Sequence, residues 1–334
     1  CSNISMPDTL KDIFNQLVSN QDFQEDSYSI ERGVGNDVFV GISPDGHPAI
    51  LLMLNNDADQ KYDSINLNGI KTEFSVNCNY HLNKKDLEEA TFNIVICTDS
   101  NINLQDFFFD FFGRFFAREQ EVSTKQLKDE IDFIRELFAN QKSASREKIM
   151  GLWSELFIIF KAEDTDTWIN KWPEQTKTTF DFEFGHIGLD VKSFGGNERI
   201  HNFKLEQLSN KSVEQTIILS TCCKEDELGM SIFDLLEKIS KKITNKELLL
   251  KLEKKVYKLN GPNVTDIKRF NFNVADEELR ILEGSLIPKI QEGSFPSTVT
   301  EVSFKSDCSD VPMLPFSEEN QAQLLKGVLV FPDQ

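Results

Sequence analysis

A stretch of alternating apolar and charged residues at positions 180–193 holds the side chains best suited to chemistry. Two alternating runs flank a turn with glycine on both sides, which is typical of a β-hairpin. Alternation puts Asp181 and Glu183 on one face of the first strand, and Asp190 and Lys192 on one face of the second. The other face of the first strand is predicted to enter a core through three phenylalanines, Phe180, Phe182 and Phe184.

The register of this hairpin decides which charges meet. If Phe184 pairs with Leu189, then Asp181 faces Lys192, and Glu183 faces the second aspartate and becomes a fifth member of the site. Carboxylates that face one another across a ladder repel, so the patch needs a cation, and hard divalent metals favour oxygen ligands. The pattern indicates Mg²⁺, and we expect Mn²⁺ to substitute for it.

Such a patch suits the hydrolysis of phosphodiester bonds. Carboxylates can hold one or two metals against the phosphate, and the nearby Lys192 can orient or deprotonate the attacking water. The alternative is a solvated hairpin face with an incidental Asp–Lys pair, because D-x-K triplets are common. The hairpin alone leaves both interpretations open.

The segment 149–160 narrows the choice. Apolar residues occupy nearly every face of this predicted helix, and Glu155 is its only charged residue. A carboxylate in a buried helix is costly unless it is paired or bound to metal. We therefore expect Glu155 to meet the hairpin charges, although a glutamate in a helix is ordinarily exposed.

Taken together, these motifs resemble a known family. The segments 151–156 (GLWSEL), 189–193 (LDVKS), 199–201 (RIH) and 206–208 (EQL) are similar to the PD-(D/E)XK motif proteins, formerly a domain of unknown function, within the restriction-endonuclease-like superfamily. Asp181 follows Phe180, where the name of the motif would place a proline. The motifs span residues 151–208, and the combination is more specific than any one of them.

The resemblance implies a catalytic cluster of Glu155, Asp181, Asp190 and Lys192, with magnesium held by the three carboxylates and Lys192 acting on water. It also implies an α/β fold with a restriction-endonuclease-like core, a mixed central sheet flanked by helices. Family members of this kind are encoded beside DNA methyltransferases and ATPases in bacterial defence loci. The expected partners are therefore DNA and such defence proteins, with a homodimer as a further arrangement.

Three polar residues after the second strand are candidate substrate contacts: Arg199, His201 and Gln207. Arginine and glutamine are common contacts to nucleic-acid backbone and bases. The alternative is a polar loop that leads into an ordinary helix packed through Leu205 and Leu208. The two interpretations have equal weight at the level of sequence.

The other elements follow from periodicity and turn residues. Helices are predicted at 8–18, at two places within 104–139, at 148–160 after a cap in 143–145, and within 231–259. Strands are predicted at 38–42 and 49–54 as a hairpin, and at 70–77, 91–97, 216–221, 270–274 and 299–304. The expected domains are a β-rich unit at 1–104, a helical lead-in and nuclease core at 105–230, and a helical and β region at 231–334.

Composition limits the classes of function. The chain has 334 residues, 36 basic and 55 acidic, for a net charge of −19, which argues against general electrostatic coating of nucleic acid. A metal, a confined basic groove or a basic partner would have to reverse that charge locally. Six scattered cysteines without a C-x-x-C pair favour reduced thiols in the cytoplasm, and no apolar run predicts a membrane span.

The leading hypothesis is a Mg²⁺-dependent endodeoxyribonuclease of a restriction-like anti-phage system. A second hypothesis is a non-catalytic DNA-binding or assembly subunit that keeps the fold without turnover. A third, favoured only by the acidic charge, is a structural protein without a role on nucleic acid. The presence of all four residues of the cluster favours the enzyme, because a degenerate copy would ordinarily have lost one.

Overall fold

A computed structural model describes residues 9–19, 26–33, 35, 37–54, 62–67, 69–82, 85–118, 121–139, 144–173, 178–210, 212–260, 268–291, 293–296, 298–299 and 301–314. The chain divides into two compact units, residues 1–141 and 142–334. The architecture is mixed α/β, as the alternation of helical and strand periodicities predicts.

The first unit is built on six strands: β1 (Tyr28–Arg32), β2 (Val38–Ile42), β3 (Pro48–Met53), β4 (Ile65–Leu67), β5 (Ile70–Leu82) and β6 (Leu87–Cys97). Their order is β1-β2-β3-β6-β5-β4, and β1 also pairs in parallel with the end of β5, so the sheet closes on itself. The antiparallel pairing of β2 with β3 confirms the predicted hairpin.

Three helices complete the first unit: α1 (Leu10–Ser19), α2 (Ile102–Arg118) and α3 (Thr124–Ala139). They confirm the helices predicted at 8–18 and within 104–139, except that residue 8 lies outside the described residues. The phenylalanine run of α2 is buried, with Phe108 and Phe112 fully inaccessible to solvent. Core packing accounts for these aromatic residues.

The second unit begins with α4 (Arg146–Lys161), α5 (Thr165–Lys171), β7 (Phe182–Phe184), β8 (Ile187–Phe194), β9 (Ile200–Lys204), α6 (Leu205–Leu208) and β10 (Gln215–Cys222). It continues with β11 (Glu225–Ser231), α7 (Ile232–Ser240), α8 (Lys246–Asn260), β12 (Arg269–Phe270), α9 (Phe272–Glu277), β13 (Arg280–Glu283) and β14 (Ser303–Asp307).

The central sheet of this unit has the order β13-β10-β8-β7. Strands β8 and β10 run parallel, while β7 and β13 pair antiparallel at the two sides, so the sheet is mixed. Parallel neighbours require a crossover connection, here supplied by β9 and α6 between β8 and β10. In the parallel register Asp190 lies beside Ile218, and Lys192 lies beside Ser220.

Helix α4 packs on β8 and brings Glu155 toward the sheet. It begins at Arg146 because Ser145 caps it, accepting a hydrogen bond from the Lys148 N–H at 3.4 Å. The indole of Trp153 is fully buried and donates to the Met230 carbonyl at 2.8 Å. The predicted buried helix at 148–160 is confirmed.

Two predicted strands of the last third are wrong in extent. The segment 270–274 contains only the end of β12, because Asn271 caps a helix there and accepts a hydrogen bond from the Val274 N–H at 3.1 Å. The strand predicted at 299–304 instead occupies Ser303–Asp307, where it pairs with β9. Strands β9 and β13 were not predicted from the sequence.

The division into 1–104, 105–230 and 231–334 stays a prediction. In the structure, α2 and α3 belong to the first unit, and the segment after residue 230 belongs to the second. Among the described helices, none combines the length and apolar character needed to cross a bilayer. The described cysteines, Cys78, Cys97, Cys222, Cys223 and Cys308, are all free thiols, as predicted for these positions.

Candidate active site

The β7–β8 hairpin is present, but its predicted register is wrong. Phe184 pairs with Ile187 instead of Leu189, and Phe182 takes Leu189 as its partner. The prediction assumed a turn of four residues, whereas the chain turns over Gly185 and its neighbour alone. Gly185 has a φ of 61°, a left-handed conformation that two-residue hairpin turns require.

The corrected register changes which charges face each other. Phe182–Leu189 is the last pair of the ladder, so Asp181 lies at its end and the register does not set Lys192 opposite it. The Asp181 N–H donates to the Leu189 carbonyl at 3.0 Å, and its carboxylate accepts the Val191 N–H at 2.7 Å. Asp181 is therefore fixed by the backbone of the strand that bears the rest of the cluster.

Asp190 and Lys192 form the centre of the site. The Lys192 Nζ lies 2.8 Å from Asp190 Oδ2, with 3% of the aspartate side chain and 18% of the lysine side chain exposed. The remaining exposure of the lysine leaves room for a small molecule such as water beside it. Burial raises the pKa of the Asp190 carboxyl, and the Lys192 ammonium opposes that rise.

Gln207 on α6 joins this pair to the surrounding backbone. Its Nε2 donates to Asp190 Oδ1 at 2.9 Å and to the Thr179 carbonyl at 3.2 Å. Its Oε1 accepts from the Lys204 N–H at 3.0 Å and from Lys192 Nζ at 3.4 Å. Both ends of the amide thus hold residues of the cluster in place.

Glu155 is half-buried on α4, and its Oε2 accepts a hydrogen bond from the Trp172 indole N–H at 2.5 Å. Burial raises the pKa of Glu155, while Lys255 and the Trp172 bond oppose the rise. The charge of Asp190 raises that pKa further. The charges of Asp190 and Lys192 thus affect the pKa of Glu155, and a shared site with the hairpin stays a prediction.

The three carboxylates share one electrostatic environment. Burial raises the pKa of Asp181 well above its ordinary value, and the charges of Asp190 and Glu155 add to that effect. Like charges held together out of water disfavour ionisation in this way. Removal of solvent and mutual repulsion together make the cluster a natural place for a cation.

Comparison with known families is consistent with this geometry. A family model described as "Putative PD-(D/E)XK family member" (DUF4420) matches residues 10–309. The chain belongs to this PD-(D/E)XK family. No curated protein and no solved structure matches the chain. The family confirms the resemblance read from the motifs at 151–208 and extends it over most of the chain.

The donor atoms of this PD-(D/E)XK protein suit a hard divalent cation. Asp181 and Asp190 offer carboxylate oxygens, the ligands that Mg²⁺ prefers. Asp190 Oδ2 is buried, with the Lys192 ammonium beside it and no hydrogen bond of good geometry within the described part of the chain. Within those same ranges, no three His, Cys, Asp or Glu side chains converge closely enough to hold a metal ion.

Arg199 and His201 lie in the interior of this PD-(D/E)XK protein, next to β10. Arg199 is 3% exposed, and its Nη1 donates to the Ser220 carbonyl and Oγ at 3.0 and 2.6 Å. Its Nη2 donates to the Glu278 carbonyl at 2.9 Å. His201 Nε2 lies 2.7 Å from Ser220 Oγ. These contacts are internal, and contact with a substrate stays a prediction for both residues.

Glu183 and Phe180 depart from the predicted faces. Glu183 lies opposite Gly188 and is exposed, so the pairing does not bring it to Asp190. Phe180 precedes β7, and its ring fills the space where a Gly188 side chain would lie, 2.6 Å from an added Cβ. Phe182 instead packs against Trp168 at 4.9 Å between ring centroids.

A cavity of about 440 Å³ lies beside Gln207. Its lining residues come from the loop before β7, from α6 and its flanks, and from the segment before β14: Thr179, Lys204, Leu205, Glu206, Ser209, Asn210, Phe295, Val299, Glu301 and Val302. Thr179 and Lys204 also bind Gln207, so two residues that line the cavity contact a side chain that binds Asp190.

Sequence reasoning missed two residues of the site, Trp172 and Lys255. Trp172 follows α5, between two of the motif segments, and Lys255 lies on α8, after all of them. The apolar helix predicted that Glu155 needs a partner, but not which one. A tryptophan at the end of a helix gives no local signal of a bond to a carboxylate.

Proposed function

We propose that this PD-(D/E)XK protein is a Mg²⁺-dependent endodeoxyribonuclease that hydrolyses phosphodiester bonds. The observation that carries the proposal is the buried Asp190 with Lys192 Nζ 2.8 Å away and partly exposed, beside the half-buried Asp181 whose pKa the charge of Asp190 raises. Family membership supports a nuclease-type hydrolase. The mixed β13-β10-β8-β7 sheet with α4 against it supports a restriction-endonuclease-like core.

Asp181 and Asp190 would hold the metal, assisted by Glu155, and Mn²⁺ would substitute for Mg²⁺. When bound, the cation supplies positive charge that stabilises the developing charge on the phosphate oxygens. Asp190 is buried and Asp181 is half-buried, so solvent screens such interactions less than at the protein surface. The raised pKa values of both carboxyls reflect the repulsion that a cation would relieve.

Lys192 would act on the attacking water. Its Nζ is held between Asp190 Oδ2 and Gln207 Oε1, which fixes the direction in which the ammonium can donate. A donor held in this way can orient a water molecule, and a lysine can take its proton once it has lost its own. Gln207 would keep the aspartate and the lysine at a constant separation.

The acidic chain would work in a complex. A net charge of −19 opposes the approach of a polyanion, so a basic partner or bound metal must offset it near the site. We propose DNA methyltransferase or ATPase subunits of a bacterial restriction-like defence system as partners, on the basis of the family resemblance. A homodimer is a second arrangement that would bring two sites to one duplex.

A second candidate function is a non-catalytic DNA-binding or assembly subunit. Among the described residues, no three metal-binding side chains converge closely enough to hold an ion, and this favours the non-catalytic subunit. The contact of Glu155 with Trp172 points the same way, because that oxygen already has a partner. The intact set of four residues favours the enzyme.

A cleavage assay tests the proposal. Supercoiled plasmid is incubated with the wild type, Asp190→Ala and Lys192→Ala in Mg²⁺ or Mn²⁺, with EDTA as the metal-free arm. Lys241→Ala is the matched control, because Lys241 is an exposed lysine that pairs with Glu237 on α7. We expect nicking by the wild type and the control alone.

The other outcomes separate the candidates. Nicking that persists in both Asp190→Ala and Lys192→Ala would overturn the site. If the protein retards the migration of plasmid in a gel-shift assay but does not cleave it, even with purified partner subunits present, the non-catalytic subunit is supported. Linear products indicate an endonuclease, and release of mononucleotides from ends would contradict that class.

A further inference from the structure

The indole of Trp172 is the direct partner of Glu155. Trp172 caps the C-terminal end of α5 and is fully buried. Its Nε1–H donates to Glu155 Oε2 at 2.5 Å. A hydrogen bond from a neutral donor to a carboxylate is short and strong when solvent is excluded. The orientation of Glu155 is thus tied to the end of α5.

Lys255 lies on the face of the same indole. Its Nζ is 3.7 Å from the centroid of the Trp172 ring and donates to the Pro173 carbonyl at 2.6 Å. The two contacts place one ammonium group at the ring and at the backbone that follows it. A cation at this distance is attracted by the negative face of the ring.

The two contacts of Trp172 reinforce each other. A cation over the ring face draws electron density from the indole, which makes its N–H a better donor to the carboxylate. Burial raises the pKa of Glu155, and the charge of Lys255 is the largest influence that opposes it. Asp190 and Lys192 act on Glu155 from β8. Lys255 therefore supports the charged form of Glu155 from α8.

We propose that Trp172 and Lys255 are positioning residues that hold Glu155 beside the Asp181–Asp190–Lys192 cluster. Their role in turnover rests on the proposed nuclease function, since it assumes that Glu155 assists the metal. Neither residue lies in the four segments that carry the resemblance, 151–156, 189–193, 199–201 and 206–208. Lys255 joins α8 to the site, and Trp172 joins α5 to it.

The helix α8 offers a matched control. Lys251 lies one turn before Lys255, and its Nζ donates to the Asn170 carbonyl at 3.0 Å. Both lysines thus bind carbonyl groups at the end of α5, and the ammonium of Lys255 lies over the Trp172 ring. Lys251→Met therefore removes the same kind of helix contact without removing the cation from the indole.

Indole N–H resonances report the coupling without any turnover. The chain has three tryptophans, and loss of one peak in Trp172→Phe assigns the Trp172 signal in a ¹⁵N–¹H spectrum. We expect Glu155→Gln and Lys255→Met each to move that peak upfield in the proton dimension, because both weaken the hydrogen bond. Lys255→Arg should restore its position, and Lys251→Met should leave it in place.

Calorimetric titration of Mn²⁺ into the metal-free protein provides the second measurement. We expect Lys255→Met and Trp172→Phe to weaken binding by about 10- to 100-fold, as loss of residues that orient metal ligands does elsewhere. Lys255→Arg and Lys251→Met should bind as the wild type does. Circular dichroism of each variant verifies that it is folded.

The results separate this inference from the proposed function. The positioning role would be overturned if the Trp172 peak does not move in Glu155→Gln or in Lys255→Met. It would also be overturned if Lys251→Met and Lys255→Met shift the peak equally. Both outcomes count even if the wild type cleaves DNA. A wild type that cleaves no DNA while the Trp172 peak responds as expected would reject the nuclease and leave the coupling intact.

Discussion

The Asp181 carboxylate accepts the backbone N–H of Val191 at 2.7 Å, across the two strands of one hairpin. The bond fixes Asp181 against the strand that carries Asp190 and Lys192, with no contribution from the lysine. Asp181 lies at the end of the ladder, next to the Phe182–Leu189 pair. The charge of Asp190 raises the pKa of Asp181, and the Lys192 ammonium offsets part of that rise.

The corrected register predicts different effects for two carboxylates of the same strand. Asp181→Asn should lower plasmid cleavage about 100-fold or more, since loss of one preorganised electrostatic group costs about 10²–10³ in rate. Glu183→Gln should leave cleavage unchanged, because Glu183 is exposed and lies opposite Gly188. Initial rates of nicking at equal concentrations of folded protein measure both. A large loss in Glu183→Gln would restore the register in which that residue faces Asp190.

Gly188 should tolerate no side chain. An added Cβ would lie 2.6 Å from the ring of Phe180. That ring is 1% exposed, so neighbouring atoms oppose its displacement. Overpacking of this kind costs about 1–3 kcal/mol. We expect Gly188→Ala to lower the free energy of unfolding by that amount in urea denaturation.

A second substitution tests the cause of that loss. Phe180→Leu removes part of the ring that an alanine at Gly188 would strike. The double variant should therefore be less destabilised than the sum of the two single changes. Strict additivity would show that Gly188→Ala acts elsewhere. Gly196→Ala is the control, because an added Cβ there meets nothing within 4 Å.

These two glycines show why the sequence predicted the hairpin and missed its register. Gly185 is required for its positive φ, whereas Gly188 is required because Phe180 occupies its side-chain space. Both requirements select glycine, so the sequence alone does not distinguish them. A turn flanked by glycines can be two or four residues long, and the contact that decides the length comes from the tertiary fold.

Local periodicity predicted what depends on neighbours along the chain. The apolar helix around Glu155, the strand alternation of Asp190 and Lys192, and the cap at Ser145 all appear in the structure. The partners of Glu155 could not be predicted in this way. Trp172 and Lys255 reach it from separate helices, and such contacts depend on packing between distant elements.

Arg199 is expected to stabilise the fold, and its replacement separates that role from contact with DNA. Arg199→Met would leave the carbonyls of Ser220 and Glu278 without their donor. A buried acceptor left without its donor destabilises the fold by about 1–3 kcal/mol. We expect a loss of this size in urea denaturation, with cleavage per folded molecule and its KM for DNA retained. A raised KM with unchanged stability would instead support the substrate contact predicted from the sequence.

His201 should make the fold sensitive to acid. Arg199 donates to Ser220 Oγ, and the serine hydroxyl can in turn donate its proton to Nε2 of a neutral His201 ring. Burial lowers the pKa of His201 to about 3, and the charges of Arg199 and Lys192 add to the effect.

The sign of the pH dependence follows from that pKa. In the unfolded chain a histidine takes up a proton near pH 6.5, whereas the folded ring stays neutral down to about pH 3. Its contribution to stability is therefore complete above pH 6.5 and falls by about 1.4 kcal/mol per pH unit below it, until pH reaches the folded pKa.

His201→Gln removes this contribution, so the difference in unfolding free energy between wild type and variant should shift in the variant's favour between pH 7 and pH 4. Urea denaturation across that range measures the gap, with His186→Gln, an exposed histidine in the hairpin turn, as the control. Parallel stability curves for wild type and His201→Gln would show that the ring is protonated in the folded protein.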